Sequence, residues 1–253
     1  MAFEQYLDAL VALVARIRDE QSHQIRHAAR LVTETLAADG LVHTFGTGHS
    51  HLLAEEAFFR AGGLIAVDPI RDDRLMMLEG AIASTRAERE HGLARSILER
   101  HEISPGDVAI IVSNSGRNAV PIEMALEMRA RHAKVVAITS LAQSRLAISR
   151  HASGKRLFEL ADAILDNGIP EGDALIGVPG IEAPIGPGST VSGAALINAV
   201  LVEAAALAAE RGLRVAVLRS ANLEESDDEL ERSIEPYRDR IPAFGNWKMD
   251  RPG

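Results

Sequence analysis

Apolar positions along the chain change their period several times, and each change marks an element. Between residues 3 and 38 they recur at helical spacing. Leu7, Leu10, Val11, Val14 and Ile17 form one stripe, Ile25, Ala28, Ala29, Val32 and Leu36 form a second, and Gly40 closes the run. One long helix or two in succession are predicted. Residues 41–45 are apolar and rich in β-formers, which predicts a short buried strand. A glycine turn follows, Gly46-Thr47-Gly48-His49-Ser50, and from Ser50 the apolar positions Leu53, Ala57, Phe58 and Ala61 return to the helical period. Residues 64–67 predict a second strand, broken by Asp68-Pro69. A polar helical stretch from 72 to 102 has few strong core positions and suits a lid or an interface.

The next unit is the most informative. Residues 107–112, Asp-Val-Ala-Ile-Ile-Val, form a strand of the kind buried in parallel sheets. They lead directly into Ser113-Asn114-Ser115-Gly116-Arg117-Asn118 and then a helix over 120–132. Residues 133–139 and 163–166 repeat the strand pattern, and 214–218 predict a last strand. Residues 167–188 carry six glycines and four prolines, and a loop of that length has a function or is mobile. A helix of small residues then runs from Ser189 to Gly212. An acidic, partly helical tail ends the chain, expected to be loose beyond Ile241. Alternation of apolar strands with helices predicts one α/β domain over 1–253. Its parts are a helical segment (1–40), a sheet core (41–212), and a last strand with the tail (213–253).

Composition narrows the partners. The chain has 253 residues, a formal net charge of −9 and no basic stripe, which argues against nucleic acid. It has no cysteine, so disulfide, thiolate and cysteine–metal chemistry are excluded. The N-terminus lacks the pattern of a signal peptide, and a cytoplasmic location is expected. Residues 191–209 are nearly long enough to span a bilayer, but Asn198, Glu203 and many Ala and Gly favour a buried helix and no membrane partner. No metal is expected. His23 and His27 share a helix face and His49 and His51 a turn, yet neither pair has a third ligand at matching spacing. His91, beside Glu88 and Glu90, reads as a surface histidine.

The candidate chemistry lies in the two polar turns. Glycines let a backbone bend and approach a ligand, and a helix opening behind them offers unpaired N–H groups under a positive dipole. Gly46, Gly48 and Ser50 make one such cradle, and Ser113, Asn114, Ser115, Gly116 and Asn118 a second. Ser50 either caps its helix or donates to a phosphate oxygen. Ser189 and Thr190, at the start of the small-residue helix, are a third anion contact or simple caps. The basic segment 149–156 either meets the anion or pairs with acidic surface groups.

These residues resemble the sugar isomerase (SIS) domain. Its signatures are a G-x-G-x-S turn and an S-x-S-G-x-[ST] turn, here Gly46 to Ser50 and Ser113 to Asn118, with Asn118 where Ser or Thr is usual. Stretches near 45–69, 150–156 and 166–168 are similar to a bacterial subgroup whose members are often labelled phosphoheptose isomerases. The resemblance implies a five-stranded parallel sheet between helices, and dimers or tetramers with sites at subunit interfaces. The ligand it implies is a phosphorylated sugar, held by Ser50, Ser113, Ser115 and backbone N–H groups. One departure concerns catalysis: the glutamate that phosphoheptose isomerases and related etherases carry ten residues after the first serine is Arg60 here.

Aldose–ketose isomerisation needs a base to move a proton between C1 and C2 and an acid to serve the oxygens. Glu55, His49 and His51 are the candidates. Glu56 is set aside because Glu56 and Arg60 form an i, i+4 pair in the favourable order. The leading expectation is a sugar-phosphate isomerase that needs no cofactor. The alternatives are etherase or lyase chemistry on an amino-sugar phosphate, and a non-catalytic sugar-phosphate sensor.

Overall fold

A computed structural model describes residues 1–220 and 227–245. Five strands form one parallel sheet: β1 (Val42–Gly46), β2 (Val67–Ile70), β3 (Val108–Val112), β4 (Lys134–Thr139) and β5 (Ala163–Asp166). Their spatial order is β2-β1-β3-β4-β5. Helices cover both faces, as buried parallel strands require. On one face lie α1 (Ala2–Glu20), α2 (Ser22–Ala37), α3 (His51–Glu56) and α8 (Ser189–Glu210). On the other lie α4 (Ala81–Ala87), α5 (Leu93–Leu98) and α6 (Ala119–Ala130). Helix α7 (Leu141–Leu146) follows β4, and α9 (Asp227–Ile234) belongs to the tail. The three-layer αβα prediction with a helical N-terminal segment holds.

Alternation along the strands builds two cores. Val42, Val67, Val108, Ile110, Val112, Val136 and Ile138 pack with α2 and α8. Phe45, Ile70, Ala109, Ile111, Val135 and Ala137 pack with α5 and α6. Helix α8 is long and apolar enough to cross a membrane by composition, but it is used here as a core helix. Gly193 lets it approach α3, where an added Cβ would stand 2.3 Å from the Leu53 Cδ1.

Several elements differ from their predicted form. The N-terminal segment breaks into two helices at Gln21, and of its first stripe only Ile17 is buried, joined by Leu13. Leu7, Val11 and Val14 are exposed. The helix after the first turn is shorter than its apolar pattern suggests. It begins with a 3-10 turn at Gly48–Ser50 and ends at Glu56. Phe59 then takes a left-handed φ of 43°, and Phe58 and Phe59 pack on Phe244. Asp68-Pro69 lies within β2 rather than ending it. β2 is an edge strand with one neighbour, and an edge tolerates the missing N–H of proline.

The predicted last strand is a single antiparallel bridge, Leu64 to Val217, held by Ile65 N–H to the Ala216 carbonyl and Leu218 N–H to the Gly63 carbonyl. The 72–102 stretch holds more core than expected, since α5 buries Leu93, Ala94, Ile97 and Leu98. Ile241 is fully buried against Leu41 and Ala66, so the chain is packed at that point. Residues 221–226 of the acidic tail and 246–253 lie outside the described residues.

Candidate active site at the carboxyl edge of the sheet

The strand order reverses between β1 and β3, which places the ligand crevice of a doubly wound sheet outside their carboxyl ends. Gly46 and Val112 are partners in register, so both polar turns leave the sheet at the same level on adjacent strands. Adjacent strands are about 4.8 Å apart, so the two turns face each other across one strand spacing. Glycine is required at 46, where a Cβ would stand 2.3 Å from the Ser50 carbonyl oxygen. Gly116 holds a left-handed φ of 56° in the second turn.

The predicted phosphate ligands fall into two groups. Ser50 and Ser115 are partly exposed, and neither hydroxyl has a hydrogen bond among the described residues. Ser50 starts α3 without capping it through its side chain. The Ser113 oxygen accepts the Gly116 N–H at 3.2 Å, leaving its proton to donate. Three more polar side chains, Asn114, Asn118 and Ser189, are engaged. The Asn114 Oδ1 accepts from Asn167 at 2.6 Å. Asn118 donates to the Glu88 Oε1 at 2.7 Å and accepts from Arg150 at 2.8 Å. Ser189 donates to Asp173, whose other oxygen takes the Gly188 and Ser189 N–H groups at 3.0 and 2.9 Å. The loop over 167–188 therefore supplies a carboxylate that caps α8. Thr190 is exposed beside it.

Glu88, at the end of α4, joins the two turns and was not signalled by the sequence. Its Oε2 accepts from the Thr47 hydroxyl at 3.0 Å, its Oε1 from Asn118, and its carbonyl from the Val120 N–H at 3.1 Å. Burial pushes the Glu88 carboxyl above the usual range, against the Thr47 hydroxyl and the charges of Arg89 and Arg150. No local pattern could have found it, since its partners lie 41 and 30 residues away. Arg86-Ala87-Glu88-Arg89-Glu90 reads as a solvated face.

The basic segment packs on the second turn. Arg150 N–H donates to the Arg117 carbonyl and Leu157 N–H to the Gly116 carbonyl, each at 2.8 Å. Three guanidinium groups gather here. Burial, then repulsion from Arg117 and Arg89, lowers the Arg150 pKa, with Glu88 opposing. The Arg117 Nε is buried without a hydrogen-bond partner among the described residues. Three cations against one carboxylate leave a local positive excess in an acidic protein, an arrangement suited to a dianion.

The three predicted catalytic residues lie on the α3 side. His51 is buried, and its Nδ1 donates to the Gly48 carbonyl, which leaves Nε2 as the acceptor of the neutral ring. His49 is exposed. Glu55 is also exposed and shares an open cleft of about 380 Å³ with Leu52, Leu53, Glu56, Thr190 and Ala194. Glu56 is paired with Arg60, as expected, and accepts from Asn198 at 3.1 Å. Arg60 itself lies beyond the end of α3 and is exposed.

Comparison with known proteins agrees with this architecture. A SIS domain model matches residues 5–140. A UPF0309 protein of Geobacillus kaustophilus is 41% identical over 240 residues, covering 95% of this chain and 96% of that protein. One from Brucella ovis is 41% identical over 239 residues, covering 94% and 97%. Among solved structures, a phosphoheptose isomerase of Francisella tularensis aligns with a TM-score of 0.54 and 13% identity over 80% of this chain and 96% of that one. One from Neisseria gonorrhoeae gives 0.52 and 15% over 82% and 97%. At such identities the likeness shows the fold alone. The chain belongs to the SIS domain family, within its UPF0309 branch.

Proposed function

We propose that the protein binds a phosphorylated sugar between the turns after β1 and β3 and isomerises it between aldose and ketose. The observation that carries the reading is the arginine excess over the second turn, where Arg117 follows Ser113 and Ser115 in the chain and its Nε is buried without a partner among the described residues. A phosphate would accept from Ser50, Ser113 and Ser115, from the glycine backbone at 46 and 48, and from Arg117. Its two negative charges would relieve the mutual repulsion of the cations. The phosphoheptose isomerase names of the structural neighbours support this choice of ligand.

Glu88 is the proton carrier we favour. It touches both turns, and a carboxyl raised toward neutrality both accepts and returns a proton efficiently. The C2 proton passes to Glu88, where it exchanges with solvent, a proton moves from O2 to O1 through the enediolate, and Glu88 returns a proton at C1, so the substrate is oxidised at one carbon and reduced at its neighbour. No organic cofactor is needed for that balance. His51, held by its Nδ1, would serve the sugar oxygens through Nε2. Glu55 and His49 act instead if the sugar extends over α3 toward Thr190. Etherase or lyase chemistry on an amino-sugar phosphate begins with the same proton abstraction. Phe3, Leu7, Val11 and Val14, exposed along α1, support a homodimer or homotetramer.

Deuterium wash-in at C1 and C2 of aldose and ketose phosphates in D₂O tests the chemistry. Exchange by the wild type that is lost in Glu88→Gln and kept in Glu55→Gln is expected. Loss in Glu55→Gln alone moves the base to α3. One observation favours a sensor: Arg60 stands at the position of the family's glutamate, and Arg60 and Asn198 together engage Glu56. A sugar phosphate that binds tightly without exchange selects that reading.

A further inference from the structure

We propose that His91, Glu123 and His151 form a site for a divalent transition cation of the zinc class. The three come from separate elements: His91 from the turn between α4 and α5, Glu123 from α6, and His151 from the basic segment before β5. The Glu123 Oε1 lies 3.1 Å from the His91 Nδ1 and 3.6 Å from the His151 Nε2, and all three ligand atoms lie within 4.8 Å of one another. A tetrahedral ion with bonds of about 2.0–2.1 Å spaces its ligands by roughly 3.3 Å. Both carboxylate–imidazole pairs already have that spacing, and His91, at 57% exposure, is free to close the remaining one.

The surroundings orient the ligands. The Glu123 Oε2 accepts the Gly92 N–H at 2.8 Å, which turns Oε1 toward both rings. The His151 Nδ1 lies 2.8 Å from the Ser153 Oγ. That Nδ1 also accepts the Ser153 N–H at 3.2 Å, so an ion at Nε2 requires the other tautomer, in which Nδ1 gives up this bond and donates to the Ser153 Oγ. Glu123 is only 13% exposed, yet among the described residues it has no lysine or arginine partner. Two imidazoles, one carboxylate and no sulfur suit zinc, cobalt or nickel and exclude a thiolate site. Three protein ligands leave a position for water. The site is separate from His49 and His51 and does not depend on which sugar, if any, is bound.

A bound ion would pin the basic segment to α6 and to the α4–α5 turn. That segment is the one that supplies Arg150 to Asn118 and a backbone N–H to Gly116. Occupancy would therefore stiffen one wall of the second turn.

The full-length, chelator-treated protein should be titrated with Zn²⁺ against a chromophoric chelator, and with Co²⁺ by visible absorption. One ion per chain with Kd below about 1 μM is expected, with at least a hundredfold loss in His91→Ala and in His151→Gln. Replacing His23 and His27 together should change nothing. His91 is exposed, so His91→Ala should keep the wild-type circular dichroism and give a reading even if Glu123→Gln fails to fold. Absence of saturable binding, binding unchanged in His91→Ala, or binding lost with His23 and His27 overturns the proposal.

Discussion

The two ends of the sheet bury charge in opposite ways. At the amino end the fully buried His43 lies between Asp68 and Asp107, at 2.9 and 3.1 Å, and His101 adds a second bond to Asp68 at 2.8 Å. Burial disfavours the His43 charge, but the bonds to Asp107 and Asp68 outweigh it and raise its pKa. Burial likewise opposes both carboxylates, and their histidine bonds hold them below the usual range. Asp107 also takes the Leu41 and Ser104 N–H groups. Among the described residues the Asp68 Oδ1 is buried without a partner. At the carboxyl end the excess runs the other way, with three arginines for one glutamate, unbonded serine hydroxyls and an unpaired Arg117 Nε. Opposite charges paired in this way stabilise the fold, whereas like charges gathered together suit an anion that arrives later.

The largest effect that would break this contrast is on stability. His43→Ala leaves the buried Asp107 without its histidine and Asp68 with His101 alone, and breaking such a buried pair costs about 3–5 kcal/mol, a large part of a domain's margin. Urea denaturation should show that loss, and a loss below about 1 kcal/mol would mean the amino-end network is not ionic. Next, Glu88→Gln should slow deuterium exchange by about 10²- to 10⁴-fold, the range of general base catalysis. Its folded pKa lies above the usual Glu value, so wild-type exchange should rise with pH through a point above about 4.3, and the variant should lack that limb.

Arg117→Ala should weaken sugar-phosphate affinity by about tenfold or more, since hydrogen bonds to charged groups contribute about 1.5–3 kcal/mol. It should leave the denaturation midpoint near wild type. The smallest effect is on pH dependence. The His43 pKa is raised, so its contribution is complete below about 6.5 and declines as pH rises through the folded value. The pKa values of Asp68 and Asp107 are lowered, so theirs is complete above about 4 and declines as pH falls through their folded values. The network therefore stabilises most between those limits, and in His43→Gln the alkaline slope of the thermal midpoint should flatten.

The same contrast explains what could be read in the sequence. β1, β3, β4 and β5 appear as apolar runs because parallel strands bury both faces, and the two serine–glycine turns stand directly behind β1 and β3. β2 was displaced because Asp68-Pro69 resembles a terminator. The edge position and the histidine partners that permit it are tertiary facts. The 214–218 run has strand composition, but it pairs with residues 62–65 through a single antiparallel bridge and a few backbone bonds instead of joining the sheet. At the site, Ser50, Ser113 and Ser115 were legible from spacing. The commitments of Asn114 to Asn167, Asn118 to Glu88 and Ser189 to Asp173 were not, because each partner lies in a distant segment. Glu88 and the Arg89–Arg117–Arg150 group join segments that share no local pattern.

The central claim is that the carboxyl end is an anion site completed by a phosphorylated sugar. Calorimetric titration with five- to seven-carbon sugar phosphates, their unphosphorylated sugars and inorganic phosphate tests it most directly. The account predicts saturable binding of at least one sugar phosphate, no detectable binding of its unphosphorylated form, and a clear loss of affinity in Arg117→Ala and Ser115→Ala. Equal binding of both forms, or affinity untouched by these substitutions, would contradict it.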